Sequence, residues 1–263
     1  MANIEFSILG PALLAGLLVI ATHAPLGIQV LNRGIVFIDI AIAQIAGVGV
    51  IAAGYFGWEA QGVAVQVSAL AAALAGALFL TWTERRWPDI QEAIIGTVFV
   101  LAATMSVLLL AGNPHGGEHL KDMLVGQILW VGRVQLNIVA VLTAVVVAAW
   151  FSVGRERLGR TGFYLLFGVS VTASVQMVGV YLVFSSLIIP ALATRNAARY
   201  RLGKAYLVGG LGYLIGLVAS NVFDLPTGAI IVWAMAVVGI VASWIEPTKP
   251  MAQLVTRSPQ NSC

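Results

Sequence analysis

Long apolar stretches alternate with short polar connections along the chain, at about residues 8–31, 36–56, 62–82, 93–112, 135–153, 162–190, 205–222 and 227–245. Residues 6–32 carry no ionisable side chain except His23, and residues 134–154 and 205–223 carry no charge at all. A helix of roughly 20 apolar residues, rising about 1.5 Å per residue, crosses a hydrocarbon core about 30 Å thick. The runs are continuous rather than alternating in short segments, which favours helices over the strands of a barrel. The pattern predicts an all-α fold, a polytopic transmembrane helical bundle of about 8 membrane segments.

The connections fall into two classes. The stretches 84-ERRWPDIQE-92, 154-GRERLGR-160 and 195-RNAARYRLGK-204 are rich in arginine. The stretches 55-YFGWEAQG-62, 112-GNPHGGEHLKD-122 and 221-NVFDLPTG-228 carry Lys121 as their one lysine or arginine. Excess positive charge marks the cytoplasmic side, so the arginine-rich connections and the C-terminal tail belong there and the N-terminus is external. One interval resists a simple count, because both Arg160 and Arg195 fall on the cytoplasmic side. The chain between them is long for one helix and short for two. It predicts a crossing from about 162 to 178 and a return through a short or discontinuous helix, 181-YLVFSSLIIPALAT-194, with Gly179 and Pro190 as interruption points. Broken backbone at membrane depth is tolerated where it is buried in protein or lines a cavity. A second short apolar stretch, 120-LKDMLVGQILWVG-132, fits a re-entrant or interfacial helix on the external side. The transmembrane domain is expected over residues 1–246 and a cytoplasmic tail over 247–263.

Composition sharpens the picture. Of 263 residues, 60% are hydrophobic and 10% charged, against about 25% charged in a soluble domain. Twenty-eight glycines suit close helix packing. The N-terminus lacks a basic region and a small-residue cleavage site, so the first apolar run is expected to be a retained helix. Cys263 stands alone and cannot form an intrachain disulfide. The net charge of +3 sits in clusters between apolar runs, which is a topological signature and not a nucleic-acid docking stripe.

Few polar side chains carry candidate chemistry. Asp39 is the acid that falls inside an apolar run, and an ionisable group there faces a cavity or a partner, or lies at the interface and caps its helix. Gln44, five residues on, sits about 140° around a helix and about 7.5 Å farther along it. The two border one pore only if the helix crosses it obliquely. His23, just before Pro25, is either packed and hydrogen-bonded or part of a transport path. On the external connection, His115 and His119 have i,i+4 spacing and His119 and Asp122 have i,i+3 spacing, which on a helix suits a shared divalent ion. Gly116 and Gly117 disfavour a helix through His115, and a solvated loop is the competing reading. No nucleotide cradle, zinc-protease motif or serine elbow is present, so an enzyme is not expected, and any ATP must be used by a separate subunit.

Four stretches, 93-AIIGTVFVLA-102, 126-GQILWV-131, 178-VGVYLVFSSLIIPALATR-195 and 223-FDLPTGAIIV-232, resemble the metal-transporting ABC permease family in the family's own order. The resemblance implies a permease subunit of an importer for a divalent metal ion (zinc, manganese or iron) in the bacterial plasma (inner) membrane. It implies a second copy of the chain, a cytoplasmic ATP-binding-cassette ATPase and an external solute-binding protein as partners, with the metal as substrate and no cofactor bound by this chain. It also implies that Asp39 and Gln44 line the path; for His115 and His119 an external loading role rests on their spacing alone. Gly47, Gly49 and Gly54 would let the second helix approach a neighbour closely, while Ser185, Ser186 and Pro190 would shape the broken helix. Two departures stand out. The family's second helix carries a histidine four residues after its aspartate, where this chain offers Ala43 or, in the other register, Gln44. The family's cytoplasmic segment after the fifth helix is shortened here to residues 154–160. A different substrate on the same fold, or a secondary transporter without an ATPase, are the alternatives.

Overall fold

The computed structural model describes residues 6–55, 58, 63–111, 116–153, 155–197 and 199–245. Among them there is no β-strand, and eight helices are long and apolar enough to cross a membrane. In chain order the helices are α1 Phe6–Arg33, α2 Ile38–Tyr55, α3 Val63–Arg86, α4 Gln91–Leu110, α5 Gly116–Val125, α6 Arg133–Val153, α7 Arg155–Val178, α8 Val180–Ala193, α9 Arg201–Phe223 and α10 Thr227–Ile245. The expected apolar runs coincide with α1 to α4, α6, α7, α9 and α10. The cytoplasmic tail expected over 247–263 lies outside the described residues.

The bundle is organised around two helices. Helix α1 packs against α6, α8 and α9, while α2 packs against α3 and α4 and touches α7 and α8. Helices α9 and α10 meet through Gly212 and Gly216 of α9, which lie against Met235 and Ile231 of α10. Small residues serve this purpose because lipid supplies no hydrophobic drive for helices to associate, so contact area must come from close approach. On α2 this holds for Gly49, where a Cβ would sit 2.8 Å from the Ser68 carbonyl of α3. It does not hold for Gly54, which borders open space. The large apolar residues Leu101, Leu108, Val141, Leu207 and Trp233 remain exposed on the bundle, as a lipid-facing surface requires.

The interval that the charges marked as irregular is broken at Gly179. Helix α7 ends at Val178, Gly179 takes φ 79°, and α8 starts at Val180. Pro190 does not interrupt the chain: α8 runs through it to Ala193. Proline costs a helix one amide donor without necessarily ending it; one turn on, the Thr194 hydroxyl donates to the Pro190 carbonyl at 2.8 Å. At Pro25, in the middle of α1, the ring leaves the Ala21 carbonyl without its helical partner, and the Tyr206 hydroxyl of α9 donates to that oxygen at 3.1 Å.

The short external stretch forms α5 and a 3₁₀ turn at Ile128–Trp130, with Gly126 at φ 71° between them. Helix α5 touches α4, α7 and α8, and the turn packs on α1 and α10, so this piece dips into the bundle. Gly126 and Gly179 lie back to back. A Cβ on Gly126 would collide with the backbone of Val178 and Gly179, and one on Gly179 with that of Val125 and Gly126. Both positions therefore exclude side chains twice, by backbone angle and by space. Gly126→Ala and Gly179→Ala are each expected to cost at least about 2 kcal/mol. Gly96→Ala on α4, where nothing lies within 4 Å of the new methyl, is expected to leave the melting temperature of the detergent-purified protein unchanged. Equal melting for all three variants would contradict the described contact.

Candidate functional site

Helix α2 begins at Ile38, which puts Asp39 in its first turn. The partial positive charge of a helix N-terminus favours a carboxylate there. A capping role is nevertheless not what the geometry shows. Asp39 is 0% exposed, and among the described residues neither carboxylate oxygen has a hydrogen-bond partner. The entry to α2 is held instead by Glu92 of α4, whose Oε1 accepts the Phe37 amide at 3.2 Å. One turn onward, Gln44 is also buried and its Oε1 has no partner. Both side chains are enclosed although they point about 140° apart, because the cytoplasmic half of α2 is surrounded: Ile38, Ala41, Ile42 and Ala43 are buried as well. Buried polar atoms are nearly always paired. An unpaired acid within a membrane span is expensive, which makes Asp39 a candidate working position.

His23 lies in α1 and is fully buried. Its Nδ1 is 2.9 Å from the Val19 carbonyl and 3.0 Å from the Thr22 hydroxyl. A carbonyl only accepts, so Nδ1 carries the proton and Nε2 is a bare lone pair; Nε2 has no partner. The packed and hydrogen-bonded reading of His23 thus describes one ring nitrogen and not the other. The structure does not assemble a closed metal cluster from these residues: among the described residues no three of His, Cys, Asp and Glu come together. His115 lies outside the described residues, as does the side chain of His119, whose backbone belongs to α5.

Helix α8 is fixed by its serines. Ser185 and Ser186 donate to the carbonyls one turn back, Tyr181 and Leu182, at 2.8 and 2.6 Å. Ser186 also pairs with the buried Tyr213 hydroxyl of α9 at 2.9 Å. Beside it, Gly27 of α1 lies against the Leu187 carbonyl, so the broken helix is clasped between α1 and α9.

A polar cluster at the cytoplasmic ends ties four helices together, and sequence reasoning read these charges only as topology. Glu84 of α3 lies 4.0 Å from both Arg33 of α1 and Arg160 of α7. Arg85 donates to Thr161 at 2.7 Å, and the Arg33 guanidinium stacks 4.3 Å over the Phe163 ring. Gln91 of α4 donates to the Leu80 carbonyl at 3.0 Å and accepts from Thr83. The signal was present in 84-ERRWPDIQE-92, where Glu84 directly precedes two arginines and needs opposite charge beside it. Within the shortened segment, residues 155–158 are helical and a kink follows at Gly159, where φ is 58° and ψ is −164°. It leads directly into this cluster.

The family model described as the ABC 3 transport family matches residues 5–161 and 156–246. A probable metal transport system membrane protein of Chlamydia muridarum is 24% identical over 259 residues, covering 88% of this chain and 86% of the relative. The high-affinity zinc uptake system membrane protein ZnuB of Haemophilus influenzae is 24% identical over 248 residues, covering 86% of this chain and 93% of the relative. Among solved structures, PsaBC from Streptococcus pneumoniae in complex with Fab shares the fold with a TM-score of 0.75 at 21% identity, covering 95% of this chain and 96% of that one.

If Asp39 is a burden on the fold rather than a support, removing its charge must not weaken the protein. Asp39→Asn is expected to melt at the same temperature as wild type or higher, because the amide needs less solvation than a carboxylate. A clear drop in melting temperature would reveal a structural partner and contradict this account.

Proposed function

The chain belongs to the ABC 3 transport family, and on that premise we propose that it is the membrane-spanning subunit through which an ATP-driven importer passes a divalent metal ion. The observation that carries the reading is the pair Asp39 and Gln44, both sealed inside a membrane helix with oxygens that no protein group satisfies. The chain pays for that arrangement in stability, and a fold gains nothing from it unless the oxygens meet something during function. Carboxylate and amide oxygens are the donors that replace the water of a divalent cation. Relatives described as a metal transport protein and a zinc uptake protein support the same cargo.

In this reading two copies of the chain form the path, and the Asp39 carboxylate of each gives a transfer site rather than a storage site. A tight site would hinder release. An external solute-binding protein delivers the ion, and His115 and His119 are assigned the loading role on their spacing and external placement alone. A cytoplasmic ATPase supplies the energy, and the chain itself hydrolyses nothing. Its push enters at the turn before Gly159 or at the basic segment 195–204, which opens α9. The Glu84 cluster passes that push from α7 to α1, α3 and α4. Zinc, manganese and iron are the candidate ions, and oxygen donors favour the harder manganese over zinc.

A second reading keeps the fold and changes the substrate. Gln44 favours it, since an amide oxygen is a poor zinc ligand compared with an imidazole. Uptake of radioactive zinc, manganese and iron into cells carrying the chain with an adjacent ATPase and binding protein separates the two. ATP-dependent uptake of one metal is expected, reduced at least about 10-fold in Asp39→Ala and less in Gln44→Ala. No uptake of any metal by an assembled complex would leave the changed substrate as the account.

A further inference from the structure

A small cavity of about 10 Å³ lies between α1, α6 and α7. Four hydroxyl side chains line it: Thr22 of α1, Thr143 of α6, and Ser170 and Ser174 of α7. Three helices place it independently at one depth. Thr22, Thr143 and Ser170 stand 10 or 11 residues from Arg33, Val153 and Arg160, which is about 15–17 Å of helix from the cytoplasmic ends. The cavity is therefore in the middle of the hydrocarbon layer, away from Asp39 and Gln44 at the start of α2.

The behaviour of the hydroxyls is unusual. Inside a membrane helix, serine and threonine ordinarily donate to the carbonyl one turn back. Others in this chain do so: Thr172 donates to Gly168 at 2.7 Å, Thr81 to Ala77 at 2.8 Å and Ser186 to Leu182 at 2.6 Å. Ser170 is 4% exposed and its Oγ has no partner. Among the described residues, Thr143 and Ser174 likewise make no side-chain hydrogen bond, although both are buried. Thr22 continues the polar line inward, pairing with His23 Nδ1 at 3.0 Å.

We infer that this cavity is a binding site for a single water molecule, held at mid-membrane by Thr22, Thr143, Ser170 and Ser174. The volume reaches the lower end of the space that one water needs, about 10–15 Å³, and the hydroxyls supply the two to four polar partners such a water requires. An alkali cation does not fit the chemistry, because no carboxylate lines the cavity and an uncompensated charge at this depth is prohibitive. The water supplies the hydrogen bonds that Thr143, Ser170 and Ser174 otherwise lack, while Thr22 already donates to the Val19 carbonyl at 3.1 Å. It also makes the contact of α6 with α1 and α7 partly water-mediated. This site is independent of the transported substrate.

Radiolytic hydroxyl-radical footprinting of the full-length chain in lipid nanodiscs tests it, since radicals form from water where it is bound. Val139 and Val146 of α6 border the cavity and are 5% and 3% exposed; Val171 and Val183 are 0% exposed and do not line it. Oxidation of Val139 and Val146 is expected to exceed that of Val171 and Val183 by about five-fold or more. Ser170→Val, which fills the space and removes a hydroxyl, is expected to bring them to the level of the controls with the far-ultraviolet circular dichroism unchanged. Thr143→Val, on a different helix, is expected to do the same and serves if Ser170→Val does not fold. Equal oxidation of all four valines in the wild type overturns the site. So does strong oxidation of Val139 and Val146 that both variants leave intact, because the water would then come from bulk solvent.

Discussion

A bilayer interior offers no water to a broken backbone, so every interruption of a helix at membrane depth must be answered by protein. Most of this structure is arranged around two such interruptions. The break at Gly179 survives because the chain at Gly126 comes in from the external side and packs directly on it. That contact brings α5 and its 3₁₀ turn into the bundle and frees α8 to run as a separate helix between α1 and α9. Pro25 interrupts α1 more gently, and the hydroxyl of Tyr206 answers the carbonyl it leaves open. The same rule that forbids loose backbone thus fixes where the discontinuous helix sits.

Against that background the unanswered groups acquire meaning. The Ser186 and Tyr213 hydroxyls satisfy one another, and Gln91 satisfies the ends of α3 and α4. The Asp39 carboxylate, the Gln44 amide oxygen and the Nε2 of His23 have no such partner. Paired groups of the first kind hold the fold, whereas these three, unpaired among the described residues, are candidates to meet a ligand, a proton or a change of conformation. The Glu84 cluster belongs to the first kind. At 4.0 Å and partly exposed, its ion pairs contribute little energy singly, yet they link the cytoplasmic ends of α1, α3 and α7.

Much of this was legible in the chain itself. The helices follow from uncharged runs about 20 residues long, the sidedness from where the arginines fall, and the discontinuity from having arginines at both 160 and 195 with too little chain between them. Residue type marked Gly179 and Pro190 alike as interruption points, but only Gly179 breaks the helix. A proline's cost depends on what its neighbours can supply, and that is a tertiary property. The burial of Asp39 was not legible. Its position six residues past Arg33 fits an interfacial cap equally well, and the choice was settled by Glu92, fifty-three residues later, taking the capping role. The cavity between α1, α6 and α7 was invisible for the same reason, since it requires three distant stretches to meet at one depth. The motif likeness in 178–195 and 223–232 pointed to the family, and the match over residues 5–161 and 156–246 bears it out.

The central claim is that Asp39 is sealed at rest and meets an ion only when the bundle opens. The direct measurement is the reactivity of Asp39→Cys, in a Cys263→Ser background, toward a water-soluble methanethiosulfonate reagent. The complex with its ATPase is labelled in nanodiscs at rest and during ATP hydrolysis. The account predicts protection at rest and modification during turnover. Protection that is equal in every state while the complex hydrolyses ATP would show that the path does not pass Asp39, and would contradict it.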